Sequence, residues 1–446
     1  MAMGLIMSKG LVAGVALVAL GATGYFAGVY FSGEQVGRFV EQSLQVAQQQ
    51  VAEQGEVVVK SEKGFFSSRY DVTYTVQGLT PEMEAVLGGP DIPMILEVEH
   101  GFLAANSTLI LAASPLLEQL RQNQVTQEKE PFELKIKQRF NPLSQSIEIE
   151  GTFESDRFKF TNEDQGTADI GAGKVFFTQV GREFKLDAVM ADSELKDDDF
   201  TLRIEGVKAH EKGRMDHDDP FQAVMAETME GELSIQRVIS STELYSAELK
   251  ELSLTIKQLI ENTRLISHVG YKAAEILVED LSQAEKTQQV ISQPTLQVTF
   301  DLDHQTSRNL IQLMSQMESS EEMAQQAMAE LIGAVDKVSQ QGVAVNVTDL
   351  SFGLNEQRAE GVASLTLAPF AVSHVMANPQ LLQEKMQLDA SFQVPVAMLA
   401  LLPDYNPDQI EGMKALGFIT ESDGFYRVDL KVSEGQVQLN GQPLPM

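Results

Sequence analysis

The stretch Tyr70-Asp71-Val72-Thr73-Tyr74-Thr75-Val76-Gln77 decides the fold. Large β-favouring side chains hold every second position and polar ones hold the positions between. This is the pattern of a strand with one buried and one wet face. Working outward, the same period recurs in Ile95–His100, Thr108–Ala112, Phe132–Phe140, Ser146–Glu150, Thr152–Phe160, Lys174–Gln179, Glu183–Val189, Phe200–Lys208, Glu232–Val238 and Ala247–Lys257. Runs of this kind between polar turns predict a long antiparallel meander over residues 56–257. Ser114-Pro115 reads as a helix N-cap followed by proline at the first helical position, opening a short helix over Leu116–Arg121.

The pattern changes in the second half. Leu259, Ile260, Leu265, Ile266, Val269, Ile276 and Leu277 fall at helical spacing and predict a helix within Ile256–Leu281. A strand, Leu296–Asp303, leads to a long helix over Gln305–Gln341, stopped by Gly342. Val343–Phe352 and Gly361–Leu367 read as a strand pair. The order then returns: Ala390-Ser391-Phe392-Gln393-Val394 resembles Val298-Thr299-Phe300-Asp301-Leu302. Helical stretches Val396–Leu402 and Pro407–Leu416 follow, then strands Gly424–Val432 and Gln436–Leu439. Residues 258–446 thus form an α+β domain, with a weak internal repeat as one reading of it.

The other end of the chain fixes an expected address. Gly10–Gly33 contains no charged residue over 24 positions. As a helix it reaches ~36 Å, enough for a ~30 Å hydrocarbon core. Lys9 before the run puts the N-terminus inside, by the positive-inside bias. A cleaved signal peptide is the competing reading, since Leu11–Leu20 has the right length and Gly21-Ala22-Thr23-Gly24 offers small residues. Tyr25, Phe26, Val29, Tyr30 and Phe31 extend the apolar run and favour a retained anchor. Residues 1–33 are then a cytoplasmic tip and single-pass anchor, and 34–55 a helical stalk. The bulk lies outside a bacterial inner membrane, in the periplasm. Gly10, Gly14, Gly21, Gly24 and Gly28 lie on one seam of the anchor, where a second helix could approach closely. The fold class is α+β: a transmembrane helix, a long antiparallel meander and C-terminal strand–helix–strand units.

Composition excludes whole classes of function. The 446 residues carry 33 Lys+Arg against 64 Asp+Glu, a net charge of −31, which disfavours nucleic acid as a partner. There is no Cys, which removes disulfides, thiolate catalysis and iron–sulfur clusters. Ser193-Glu194-Leu195-Lys196 fits S-x-x-K but lacks the partner motifs of the acyl-enzymes that use it. Asp197-Asp198-Asp199 and Asp216-His217-Asp218-Asp219 lack calcium-loop spacing, and His210 with His217 lacks a third zinc ligand. No cofactor, metal or catalytic residue is assigned. Gly171-Ala172-Gly173-Lys174 reads as a turn, and Phe65 and Phe66 as core.

Three motifs resemble the YdgA family of bacterial inner-membrane proteins with a large periplasmic region. They are Lys63-Gly64-Phe65-Phe66-Ser67-Ser68 after the glycine-rich anchor, Glu99-His100-Gly101-Phe102, and the ending Glu434-Gly435-Gln436-Val437-Gln438-Leu439-Asn440-Gly441-Gln442-Pro443-Leu444. Lys63 stands where that family usually has Arg, and Phe102 where it usually has Pro. The resemblance implies a Gram-negative cell-envelope protein of unknown function that self-associates as a homodimer, with no established enzymatic activity. Together the readings predict a non-enzymatic, membrane-anchored periplasmic protein. It would bind an envelope protein, a lipid or another apolar ligand through an extended sheet or groove. The alternative is a periplasmic hydrolase with a dispersed site in which His100, His210 or His217 meets carboxylates.

Overall fold

The computed structural model describes residues 55–444, apart from 65, 77–87, 102, 127–128, 142–145, 163–165, 198, 218–224, 283–286, 310–332, 334–335, 356, 379 and 400–405. The chain is sheet-rich and antiparallel, and it divides into two compact units. The first runs to Val224 and takes Val238–Glu243; the second holds Met225–Arg237 and the described chain from Leu244 to Ser315 and from Gln325 on.

The first unit is a meander. Its strands β1 (Gly55–Lys63), β2 (Ser67–Val76), β3 (Asp91–Gly101), β4 (Ala104–Leu111), β5 (Phe132–Asn141) and β6 (Ser146–Ser155) pair in chain order. Next come β7 (Phe158–Asn162), β8 (Gly166–Ile170), β9 (Gly173–Val180), β10 (Glu183–Met190), β11 (Ser193–Lys196) and β12 (Phe200–Met215). Strand β6 pairs with β9, β9 with β10 and β10 with the far half of β12. In parallel, β7 pairs with β8, β8 with β11 and β11 with the near half of β12. Each of three long strands is therefore broken once, and the breaks line up.

Register puts the alternate residues of all these strands on one face. Val57, Tyr70, Val72, Tyr74, Ile92, Met94, Leu96, Val98, Leu109, Leu111, Phe132, Leu134, Ile136, Ile149 and Phe177 form one buried cluster there. Helix α1 (Pro115–Asn123) adds Leu116, Leu117 and Leu120 to it. Its N-cap is as expected: Leu117 N donates to Ser114 Oγ at 3.2 Å. The other face is wet. It carries cross-strand ion pairs such as Lys137–Glu150 and Lys174–Glu154, in which every side chain is more than a third exposed. Period two in the sequence and one-sided burial in the sheet are the same fact.

The second unit continues in this style. β13 (Ala226–Thr242) precedes β14 (Tyr245–Glu261), β15 (Arg264–Lys272), β16 (Glu275–Asp280) and β17 (Thr287–Asp303). These are followed by β18 (Val343–Leu354), β19 (Gln357–Leu367), β20 (Met386–Pro395), β21 (Thr420–Ser422), β22 (Phe425–Ser433) and β23 (Gln436–Leu439). Pairing runs β14-β15-β17-β18-β19-β20-β22-β23, with β16 also bridging β14 and β17. Leu254, Val269, Leu296, Phe300 and Leu350 share one face and remain 36–41% exposed. Residues 304–309, 333 and 336–341 are helical and Gly342 ends the last stretch at φ +75°, as expected; the remaining positions of the expected Gln305–Gln341 helix lie outside the described residues. Helices α2 (Val372–Ala377) and α3 (Gln380–Lys385) precede β20. After it, α4 (Val396–Leu399) and α5 (Pro407–Ala415) fall within the expected helical stretches. A strand, a helical connection and an antiparallel hairpin thus follow one another twice.

Two expectations are corrected. Ile256–Leu281 is not helical: it forms the end of β14, then β15, β16 and their turns. The doublets Leu259-Ile260 and Leu265-Ile266 pair with each other across the Asn262-Thr263 turn, placing one residue of each doublet on either face. Asn262, at φ +58°, makes the left-handed turn that a helix could not contain. Phe66 is not core but 76% exposed. It sits in the β1–β2 connection, where its carbonyl accepts from His100 N at 2.8 Å. Gly64 makes the turn of this connection: its N donates to Ser67 O, and a Cβ would lie 2.6 Å from that oxygen.

Candidate functional site

The broken strands create a concavity. Interruptions at 156–157, 171–172 and 191–192 align across the sheet, and β12 carries Gly206 at φ +64° on the same line. Breaking a ladder strands backbone donors, and these need other acceptors. Local side chains supply them. Gly171 N donates to Ser193 Oγ at 2.9 Å, Gly173 N to Ser155 Oγ at 3.0 Å and Gly206 N to Asp192 Oδ1 at 3.1 Å. The sheet bends toward its apolar face at this crease, so that Phe158 beyond it packs on Phe132, ring centroids 5.3 Å apart.

Inside the bend lies a trough of about 420 Å³ lined by Leu134, Phe153, Val175, Leu186, Met190 and Val207, among others. Its depth comes from small residues. Ser155, Gly173, Ala188 and Ala209 face inward on neighbouring strands, while the larger side chains around them make the walls. Phe177 stands at one side, its ring lying over Gly151, where any Cβ would fall 2.0 Å from the ring. The trough has the size and apolar lining of a small-molecule site.

Among the described residues of β6, β9, β10 and β12, one charged group shares this face by register. Glu211 pairs directly across from Leu186, two residues beyond Ala209. It is half-buried, and burial pushes its carboxyl above the usual carboxylate range. The cations of β12 at even positions, Lys208, Lys212 and Arg214, face the opposite side by register.

The residues singled out in the sequence sit elsewhere. The seam Gly10, Gly14, Gly21, Gly24 and Gly28 lies outside the described residues, and among those described no helix is long and apolar enough to cross a membrane. Ser193 and Lys196 stand on opposite faces of a short strand, so they form no nucleophile–base pair. His210 Nδ1 meets Asp187 Oδ1 at 2.6 Å on the wet face, across from the trough. Lys185 and His210 together hold the Asp187 carboxyl below its usual range. Ser68 Oγ and His100 Nε2, from two different motifs, lie 2.9 Å apart. Among the described residues no group of three His, Asp or Glu could hold a metal ion.

The trough itself was missed. Its signal was present in the inward glycine and alanine positions of three successive strands, and in the shared interruption that faces them. Fold and site define a one-sided antiparallel meander with an apolar trough at a crease and, among the described residues, no assembled catalytic group around it. The chain belongs to a family of bacterial proteins of unknown function, DUF945, matched over residues 7–446. No curated protein and no solved structure matches it.

Proposed function

We propose that this is a non-enzymatic protein of the bacterial cell envelope that holds the hydrocarbon chain of an amphiphile in the trough. The observation that carries the reading is the trough itself: several adjacent strands turn apolar or small residues inward around a volume of ligand size. The uncharged run Gly10–Gly33 supports anchorage in the inner membrane with the bulk in the periplasm. The three motifs that resemble the YdgA family support the same address and a self-associating chain. The glycine seam is the part of the anchor suited to pairing.

The test is to purify the full chain in mild detergent and identify co-purifying amphiphiles by mass spectrometry. Retention of one class by the wild type, and its loss in Ala188→Phe and Ala209→Phe, supports the reading. Equal recovery in the filled variants refutes it. Cross-linking in membranes, with and without Gly→Leu at Gly14, Gly21 and Gly24, tests the seam; an unchanged dimer yield removes it.

A second reading, a hydrolase, draws on the Ser68–His100 contact. A serine nucleophile needs a base that is itself oriented by a third group. Among the described residues no carboxylate contacts His100. Ester hydrolysis that disappears in Ser68→Ala would restore this reading.

A further inference from the structure

We infer that Glu211 selects the polar end of the bound amphiphile, and that the preferred head is a primary ammonium. The inference rests on the trough reading and adds orientation and charge to it.

The geometry gives the trough two unlike ends. At the crease, Ile170, Gly171 and Met190 line it with apolar and backbone groups. At the other end Glu211 follows Ala209 on the same face, about 7 Å further along the strand. The next inward row beyond it holds Gln179, Phe184 and Gly213. The Gln179 side chain is buried and its Nε2 donates to Gly181 O, so that amide donor is taken. Glu211 stands just past the lining, as the next inward residue beyond Ala209; Lys174, which borders the trough, is engaged by Glu154 on the wet face at 2.7 Å. Among the described residues Glu211 has neither ion pair nor hydrogen-bond donor.

A half-buried carboxylate gives up part of its hydration, and a donor that arrives with a ligand makes up for it. Lys208, Lys212 and Arg214 of its own strand, and Lys185 of the neighbouring one, are turned to the other face by the pleat. The missing donor then comes with the ligand. An ammonium at the end of a chain lying in the trough meets Glu211 as its tail reaches the crease. A carboxylate or phosphate at the same place meets like charge, within a chain whose net charge is already −31.

The experiment uses the full-length protein in amphipol and two photoactivatable C16 probes that differ only in the head, hexadecylamine and palmitate. Cross-linked peptides are mapped by mass spectrometry, and affinities are read by competition with the unlabelled compounds. The wild type is expected to bind the amine about tenfold or more tightly than the acid, the scale of one charge-assisted hydrogen bond. Glu211→Gln and Glu211→Leu should bring the two affinities within about threefold of each other. They should do so by weakening the amine while palmitate still labels the trough. Equal binding of both probes in the wild type, or a preference kept in both variants, overturns the inference and leaves the trough standing. Failure of both probes to label trough peptides overturns both.

Discussion

Replacing Gly151 by alanine tests how tightly the side of the trough is built. The new methyl would sit 2.0 Å from Phe177 Cζ and 2.1 Å from Cε1. Ordinary carbon contacts lie at about 3.5–4.0 Å, so the ring must move by roughly 1.5 Å or more. Phe177 is only 6% exposed and belongs to the core cluster, so it has little room to yield. Overpacking of this kind costs about 1–3 kcal/mol. Gly151 does not have a positive φ, so alanine also recovers about 0.4–1 kcal/mol by stiffening the unfolded chain. The net expectation is a loss of about 1–2 kcal/mol from the first unit. Phe177→Leu opens space for the methyl, so the double variant should be more stable than the sum of the singles by about 1 kcal/mol. Hydrogen exchange in urea, followed on peptides over residues 146–155 and 173–180, reads this unit separately from the other. A Gly151→Ala protein as stable as wild type, or strict additivity in the pair, would show that the ring does not rest on the glycine.

Further expectations concern other parts of the chain. Ser114→Ala removes the α1 cap and should cost about 1 kcal/mol, read as faster exchange at the Leu116 and Leu117 amides. Arg264 binds Asp301 Oδ1 through Nε at 2.6 Å, and the carbonyls of Asp301, Gln341 and Gly342 through its terminal nitrogens. Arg264→Lys keeps the charge and loses the fork, so unfolding of the second unit should shift by about 1–3 kcal/mol. Burial raises the Asp156 pKa, but hydrogen bonds from Thr126, Gln124 and the Arg157 amide outweigh it and leave the carboxyl below its ordinary value. Its stabilisation is complete above the unfolded value of about 3.9 and disappears as pH falls through the lower folded one. Asp156→Asn should therefore flatten the acid limb of a midpoint-versus-pH curve; an unchanged limb would count against this account.

Much of the architecture was legible because period two is a direct image of the pleat. Tyr70, Val72 and Tyr74 are buried on the face their spacing assigns, and Ser114-Pro115 opens the helix it marks. What was not legible depended on two-dimensional placement. The doublets around Asn262 satisfy helical spacing as well as a hairpin, and only the turn decides between them. Phe66 is apolar, yet it sits in a connection between strands and is exposed. The trough needs Ala188 beside Ala209 and Gly173 beside Met190, neighbours that register alone creates. Ser193 looked chemical as the head of a four-residue motif, whereas in space it is an acceptor for the Gly171 amide.

The meander also says how such a chain can assemble. Among the described pairings, none joins strands more than three places apart along the chain. Loop closure is therefore cheap at nearly every step, and contact order stays low for a protein made of strands. Each new hairpin can add to the growing border of the last. Until the final strand docks, that border is an open row of amides and carbonyls, a template for stray chains as well as for its own next segment.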